Sequence, residues 1–216
     1  MKYRSLYIIA LLFAFFIFCS DSCDSTVEEK QKWKKAQFHE KIATIKDGFE
    51  SDYLSETSRI AFEEKAKQKL VDFSDYFTIY SDKSLDTLFR EKTGDMMMDL
   101  FYQNKTVLEL KLDDSESRNR MNIEQLMQKL QKSEFDVLQL NMDSIRTFTA
   151  LERINESTYM GKLFYLQSVE GFKGIDTTLI DLTTMQSEFY VMKVMKNFGK
   201  ESKKIWKVFL GNIKKY

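Results

Sequence analysis

Proline is absent from this sequence of 216 residues, and glycine occurs only seven times. Average usage near 5% would give about ten prolines. Lysine, phenylalanine, isoleucine and tyrosine, whose codons are AT-rich, are common instead, so we attribute the bias to an AT-rich genome. Because proline is missing, turns must be made by asparagine, aspartate, serine and the few glycines.

Cysteine and histidine are scarce as well. Cys19 and Cys23 are the two cysteines, so the chain after residue 23 has neither a disulfide framework nor a thiol nucleophile. His39 is the single histidine, and a Ser-His-Asp triad would have to use it. A zinc site needs several histidine or cysteine ligands. These shortages exclude most hydrolase and metal designs, and we interpret His39 as a surface or hydrogen-bonded helix residue.

Neither positive nor negative charge is in excess, because 33 lysine and arginine residues balance 33 aspartate and glutamate residues. We therefore expect no nucleic-acid binding. The sequence contains no Gly-x-Gly-x-x-Gly, P-loop or Gly-x-Ser-x-Gly motif, so we expect no cofactor. Asp113, Asp114 and Glu116 form the densest acidic cluster, but the spacing lacks the glycine and glutamate of an EF-hand loop. We interpret this cluster as a solvated loop.

The first 22 residues are typical of a cleavable secretion signal. Lys2 and Arg4 form a short positive region, and the uncharged run from Leu6 to Phe18 follows. This run has the length of a signal core, whereas a membrane-spanning helix needs about 20 apolar residues. We predict that residues 1–22 are a signal peptide and that the chain is exported.

Cys23 is the predicted lipid-anchor residue. Lipoprotein signal peptidase cleaves before a cysteine that follows a small residue, and Ser22 fits this rule whereas Phe18, before Cys19, does not. The junction resembles the loose lipoboxes of Bacteroidota lipoproteins. An ordinary signal cleaved after Ser22 and an uncleaved anchor are the alternatives. We then predict that residues 23–35 are a tether and that residues 36–216 form a single domain. The lipid would anchor the protein to a membrane of the bacterial envelope.

Apolar spacing predicts helices in the first half of the chain. One helix begins near Trp33 and reaches Tyr53, and a second follows the polar segment from residue 51 to residue 58. The second helix has inward positions Phe62, Ala66, Leu70, Phe73 and Phe77. A third is predicted to open at Ser81-Asp82, to hold Leu85, Leu88 and Phe89, and to be interrupted at Gly94. Asn122–Gln125 has the pattern of a capping box for a short helix.

Alternating sequence predicts strands in the second half. The first is Thr106–Leu112, with its three leucines on one face. The segment Asp113–Asn119 is predicted to be a loop, and a hairpin is expected across Asn155–Ser157 and another across Phe198–Ser202. The predicted later strands are Phe135–Asp143, Ser144–Asn155, Thr158–Val169, Thr177–Thr184, Glu188–Asn197 and Lys203–Leu210.

Helices followed by antiparallel strands predict an α+β fold with helices on one face of a curved sheet. This order, the short helix Asn122–Gln131 and the final strand with Trp206-Lys207-Val208 resemble the NTF2-like superfamily, from about Phe38 to Leu210. The resemblance implies a cone whose concave face holds small molecules. Cystatin-like and unrelated α+β layouts are the alternatives.

Two sets of side chains are candidate binding residues. Strand aromatics are candidates for lining the pocket that the resemblance implies, or else for the core under the helices; they are Phe148, Tyr159, Phe164, Tyr165, Phe189, Tyr190, Trp206 and Phe209. Met96, Met97, Met98 and Phe101 are candidates for a partner contact, since methionine clusters occur at adaptable surfaces. Core filling is the alternative for this run. Asp176 and Asp181 flank a predicted strand and are the candidates for facing a cavity.

The leading hypothesis is a membrane-tethered envelope lipoprotein, in the periplasm or at the outer membrane or cell surface. It would bind a protein partner, such as a toxin, or a small ligand, without enzymatic activity. One alternative is an NTF2-like enzyme that uses an aspartate or a tyrosine inside the cone on a small hydrophobic substrate. Another is an envelope assembly factor with an exposed apolar patch at Met96–Phe101.

Overall fold

A computed structural model describes residues 53–102, 106–113, 117–199 and 201–216, which fall within one compact unit. The predicted signal, the tether, Cys23, His39 and almost all of the first predicted helix lie outside these residues. Within them, no helix is both long enough and apolar enough to cross a bilayer. The elements are α1 (Glu56–Ser81), α2 (Thr87–Met98), β1 (Leu108–Leu110), β2 (Asn119–Met121), α3 (Ile123–Lys132), β3 (Val137–Asn155), β4 (Thr158–Lys173), β5 (Asp176–Phe198) and β6 (Glu201–Lys215).

The six strands form one sheet in the order β2-β1-β6-β5-β4-β3. Strands β3 to β6 are a continuous antiparallel meander, whereas β1 runs antiparallel to β2 and parallel to β6. The helices precede the long strands and pack on one face of the curved sheet. The predicted α+β class, with helices on one face of a curved sheet, is therefore confirmed.

Helix α1 supplies one wall of the core. Ser55 caps its first turn, because its side-chain oxygen accepts the Ser58 N–H at 3.1 Å. The five predicted inward positions are all buried, which confirms the apolar spacing; they are Phe62, Ala66, Leu70, Phe73 and Phe77.

Helix α2 differs from its prediction in both its start and its orientation. It begins at Thr87 because Asp86, and not Ser81-Asp82, accepts the N–H groups of the first turn. Leu88 and Phe89 are 75% and 53% exposed, so the apolar pattern does not mark the buried face. Gly94 does not interrupt the helix.

The next segment follows its prediction closely. Asn122 and Gln125 form the predicted capping box, with each side chain accepting the other residue's backbone N–H. The leucines of the first predicted strand are buried, as expected of its inward face. The loop predicted up to Asn119 is shorter than expected, because Asn119 begins β2, which pairs with β1.

Two pairs of predicted strands are in fact single long strands. Strand β3 runs through the predicted break at Ser144, which has φ of 55° and lies in a register shift of the β3–β4 ladder. Strand β5 likewise runs through residues 185–187, which are buried in the middle of the sheet. Both predicted hairpins are confirmed, and Gly199, with φ of 65°, makes the second turn.

Side chains of α1 cover the outer edge of β3. The Leu138 N–H donates to Ser81 Oγ at 3.0 Å, and this hydroxyl lies 2.8 Å from the Leu138 carbonyl oxygen, to which it donates. Two residues further along the strand, the Leu140 N–H donates to the Thr78 hydroxyl and the Leu140 carbonyl oxygen accepts from the Ser74 hydroxyl. The helix thus offers the edge strand the hydrogen bonds that a seventh strand would otherwise supply.

Glu63 extends the same arrangement near the far end of β3. One of its carboxylate oxygens accepts the Leu151 N–H at 2.8 Å, and the other accepts from the Thr147 hydroxyl at 3.3 Å. Four polar side chains of one helix therefore hold the long edge strand in place.

Candidate functional site

The face of the sheet that packs under the helices contains two polar side chains in β4. Successive side chains of a strand point to opposite faces, so Leu163, Tyr165, Gln167 and Val169 share the inner face. All four are fully buried. Met185 in β5 lies directly opposite Tyr165 in the ladder.

The predicted aromatic pocket does not form as a single lining. Strand alternation divides its residues between two faces, because neighbours such as Phe164 and Tyr165 cannot point the same way. The inner face holds Tyr159, Tyr165, Phe189 and Trp206, all buried, whereas the outer face holds Phe148, Phe164, Tyr190 and Phe209.

Most of the inner aromatics have structural partners. The rings of Tyr159 and Trp206 meet edge to face with 5.4 Å between centroids. The Tyr159 hydroxyl accepts the Leu54 N–H at 3.2 Å, which fixes the chain just before α1. The Phe189 ring fills the space above Gly161, where a Cβ atom would lie only 2.4 Å from it. These three side chains build the core.

Tyr165 and Gln167 are different, and we call them the interior polar pair. The Tyr165 hydroxyl and both carboxamide atoms of Gln167 are buried and have no hydrogen-bond partner among the described residues. More than nine in ten buried polar groups in proteins are hydrogen-bonded. The pair therefore offers buried donors and acceptors that the described part of the chain leaves unused.

An ion pair lies beside the interior polar pair. Arg118, just before β2, donates through Nη2 to both carboxylate oxygens of Asp181, at 2.8 and 2.7 Å. Its Nη1 donates to the Glu109 carbonyl oxygen at 3.3 Å and lies 3.5 Å from Met185 Sδ. The two side chains are 18% and 9% exposed. This contact pairs the charge of Asp181 with that of Arg118.

The electrostatics define what the pair offers to a ligand. Burial raises the pKa of Tyr165 well above its usual range, while the nearby Arg118 opposes the rise. The phenol is therefore protonated at neutral pH, so it is able to donate one hydrogen bond and to accept others. Gln167 adds two donors and an acceptor. The pair thus consists of uncharged donors and acceptors, and the neighbouring carboxylate is engaged by an arginine.

The sequence predicted only some of the residues at and beside the interior polar pair. Tyr165 was a predicted pocket residue and Asp181 a predicted cavity-facing carboxylate, whereas Gln167 and Arg118 were missed. The signal for Gln167 was its position two residues after Tyr165, which places it on the same face of a strand. Arg118 carried no signal, because it lies in a segment that was predicted to be a loop.

The methionine run is not one exposed surface. Met97 is fully buried, Met98 packs partly against the core, and only Met96, at 43%, is well exposed. Phe101 is buried against Phe73, with 5.2 Å between ring centroids. A partner contact through this set would therefore rest on Met96 alone.

The described part of the chain contains no candidate metal site, because no three His, Cys, Asp or Glu side chains cluster there.

No protein-family model matches the chain, and no curated protein matches it either. Among solved structures, a protein from Novosphingobium aromaticivorans DSM 12444 described as a scytalone dehydratase is similar at 12% identity, with a TM-score of 0.37. The similarity covers 74% of this chain and 91% of that one. A similarity this low carries no argument about function.

Proposed function

We propose that this protein is an exported, membrane-tethered binding module that holds a small uncharged polar ligand at the interior polar pair. The observation that carries the proposal is that Tyr165 and Gln167 are buried with three unused hydrogen-bonding atoms. The site binds without catalysing a reaction.

Energetics support a ligand at this position. A buried polar group without a partner destabilises a fold by about 1–3 kcal/mol, so the pair lowers the stability of the empty domain. A ligand with a carbonyl and a neighbouring N–H or O–H group would satisfy the carboxamide on both sides. The phenol would then bond a second polar atom about 6–7 Å away, since residues i and i+2 of a strand are that far apart.

The charge around the pair selects for a neutral ligand. Arg118 is already neutralised by Asp181, so neither is available to balance an ionised group. Bringing an unpaired charge into such an interior costs several kcal/mol. The same ion pair is the reason to propose binding rather than acid–base catalysis, because the Asp181 carboxylate is occupied by Arg118.

The retained ligand is the test of this site. The protein would be purified from its own cells under mild conditions, and its mass compared in the native and the denatured state. We expect an additional small mass that a Tyr165→Phe/Gln167→Met variant loses. Tyr190→Phe is the matched control, because it removes a phenol from the outer face that donates to Glu188 at 3.1 Å. Loss of the mass in the control alone, or no mass in the wild type, would contradict the proposal.

Tethering is a separate part of the proposal and has its own test. The uncharged run to Phe18 and the small residue before Cys23 support export and lipidation. Mass spectrometry of the membrane fraction should find an N-terminal Cys23 carrying acyl chains. Cys23→Ser should release the protein from membranes, whereas Cys19→Ser should not. An unmodified N-terminus at Cys23 would refute the anchor and leave the interior site untouched.

A further inference from the structure

The β5–β6 hairpin extends beyond its neighbours in the sheet. Pairing between β4 and β5 ends at Thr158 and Met192, and the last backbone bond on that side joins Lys193 N–H to the Ser157 carbonyl at 2.9 Å. From there to the turn, the ladder of β5 pairs only with β6. We call residues 193–199 and 201–206 the projecting ribbon.

The projecting ribbon is strongly basic in a chain of zero formal net charge. The sequence from residue 193 to residue 206 contains five lysines and one glutamate, which gives a local net charge of +4 within 14 residues. Lys207 follows directly. Burial, and after it the charge of Lys207, lowers the pKa of Lys69 in α1, while the charges of Asp72 and Asp99 oppose the change. Lys207 therefore lies near Lys69 on the helix.

Lysines lie on both faces of the ribbon. Lys204 pairs with Met195 and shares its face, whereas Lys196 pairs with Lys203 on the opposite face. These three lysines are exposed, and Met195 is 60% exposed. An interface with one folded protein would engage one face, whereas a ribbon that enters a layer of charged head groups is surrounded by them.

The side-chain chemistry favours a diffuse anionic surface over a single carboxylate partner. The ribbon has no arginine, whose rigid guanidinium fork suits bidentate recognition of one carboxylate. Lysine presents a point charge on a flexible stem, which needs no fixed partner geometry and can extend its head to an interface. Met195 adds a flexible apolar side chain that fits between head groups.

We propose that the projecting ribbon docks on the head groups of anionic phospholipids. The proposed export and tether determine where it meets such a membrane, and the ribbon then orients the domain on that surface. Electrostatic attraction of this kind depends on salt, because mobile ions screen it.

Vesicle partitioning tests the docking surface. The full chain would be mixed with phosphatidylcholine vesicles, with and without phosphatidylglycerol, at low and high salt. Each lysine near an anionic surface contributes roughly fivefold to partitioning, so Lys196→Gln/Lys203→Gln/Lys204→Gln should weaken binding on the order of 100-fold. The N-terminal segment is the same in every variant, so its own membrane affinity cancels, and a failure of lipidation at Cys23 leaves this measurement intact.

A matched variant with the same charge loss is the control. Lys92→Gln/Lys132→Gln/Lys214→Gln removes three exposed lysines elsewhere and should leave partitioning unchanged. Circular dichroism melting confirms that both variants fold. Equal losses in the two variants, or equal wild-type binding to neutral vesicles, would overturn the proposal. The proposal would also be overturned if the protein captured an acidic protein through the ribbon lysines while its binding to vesicles did not depend on them.

Discussion

Replacing Gln167 by methionine should make the ligand-free domain more stable. The substitution keeps an unbranched side chain of similar length at a fully buried position, so little repacking is needed. It removes a carboxamide whose two polar atoms have no partner among the described residues. Relief of that penalty is expected to raise the free energy of unfolding by about 2 kcal/mol.

Urea unfolding followed by circular dichroism measures this change. Asn212→Leu is the control with the opposite sign, since its carboxamide accepts the Val107 N–H at 2.9 Å and donates to Glu188 at 3.0 Å. It should lose about 1–2 kcal/mol. Ligand-loaded wild-type protein should gain stability in proportion to the logarithm of ligand concentration over Kd, and Gln167→Met should lack this gain.

A loss of more than about 1 kcal/mol in Gln167→Met would refute the reasoning, because it would mean that the carboxamide already makes hydrogen bonds that stabilise the fold. The ranking of the variant against Asn212→Leu is the decisive comparison, since both exchange a carboxamide for an apolar group.

Three further changes test the packing. Ser81→Ala should cost about 1–3 kcal/mol in urea unfolding, because both backbone polar groups of Leu138 lose their partner, whereas an exposed serine should change little. Gly94→Ala should lower the melting temperature despite alanine's helix propensity, since the new Cβ would lie 2.8 Å from Tyr80 Cε2; an unchanged or higher temperature contradicts this. Burial raises the pKa of Glu109, but its hydrogen bonds outweigh this effect and hold the pKa below the usual value. The contribution of Glu109 to the free energy of unfolding is therefore present above pH about 4.5 and lost on acidification. A Glu109→Gln variant should flatten that acid dependence of stability.

The predicted helix and strand types were largely correct, and the errors have specific causes. The sequence from residue 135 to residue 155 changes the phase of its alternation near Ser144, which predicts two strands. The structure keeps one strand because a positive φ at Ser144 and a register shift absorb the change of phase. A local irregularity inside a strand and a loop between strands leave similar patterns in a sequence.

The candidate site shows a different kind of error. The prediction placed the aromatic residues in one lining because of their shared chemistry. Successive side chains of a strand point to opposite faces, so the neighbours Phe164 and Tyr165 lie on different faces of the sheet. Applying the alternation to residues 163–169 would have placed Gln167 inside. The pairing of Arg118 with Asp181 could not be predicted, since 62 residues of chain separate them and no local pattern links them.

The polar side chains of α1 cover the edge strand β3 and occupy hydrogen-bonding groups through which another strand would pair with it. Until α1 is formed during folding, β3 presents an unpaired edge to other copies of the chain. Local melting of this one helix would therefore turn the folded chain into a template for edge-to-edge association. Loss of Ser81, Thr78 or Glu63 would show first as aggregation during folding, at stabilities where the folded domain is still intact.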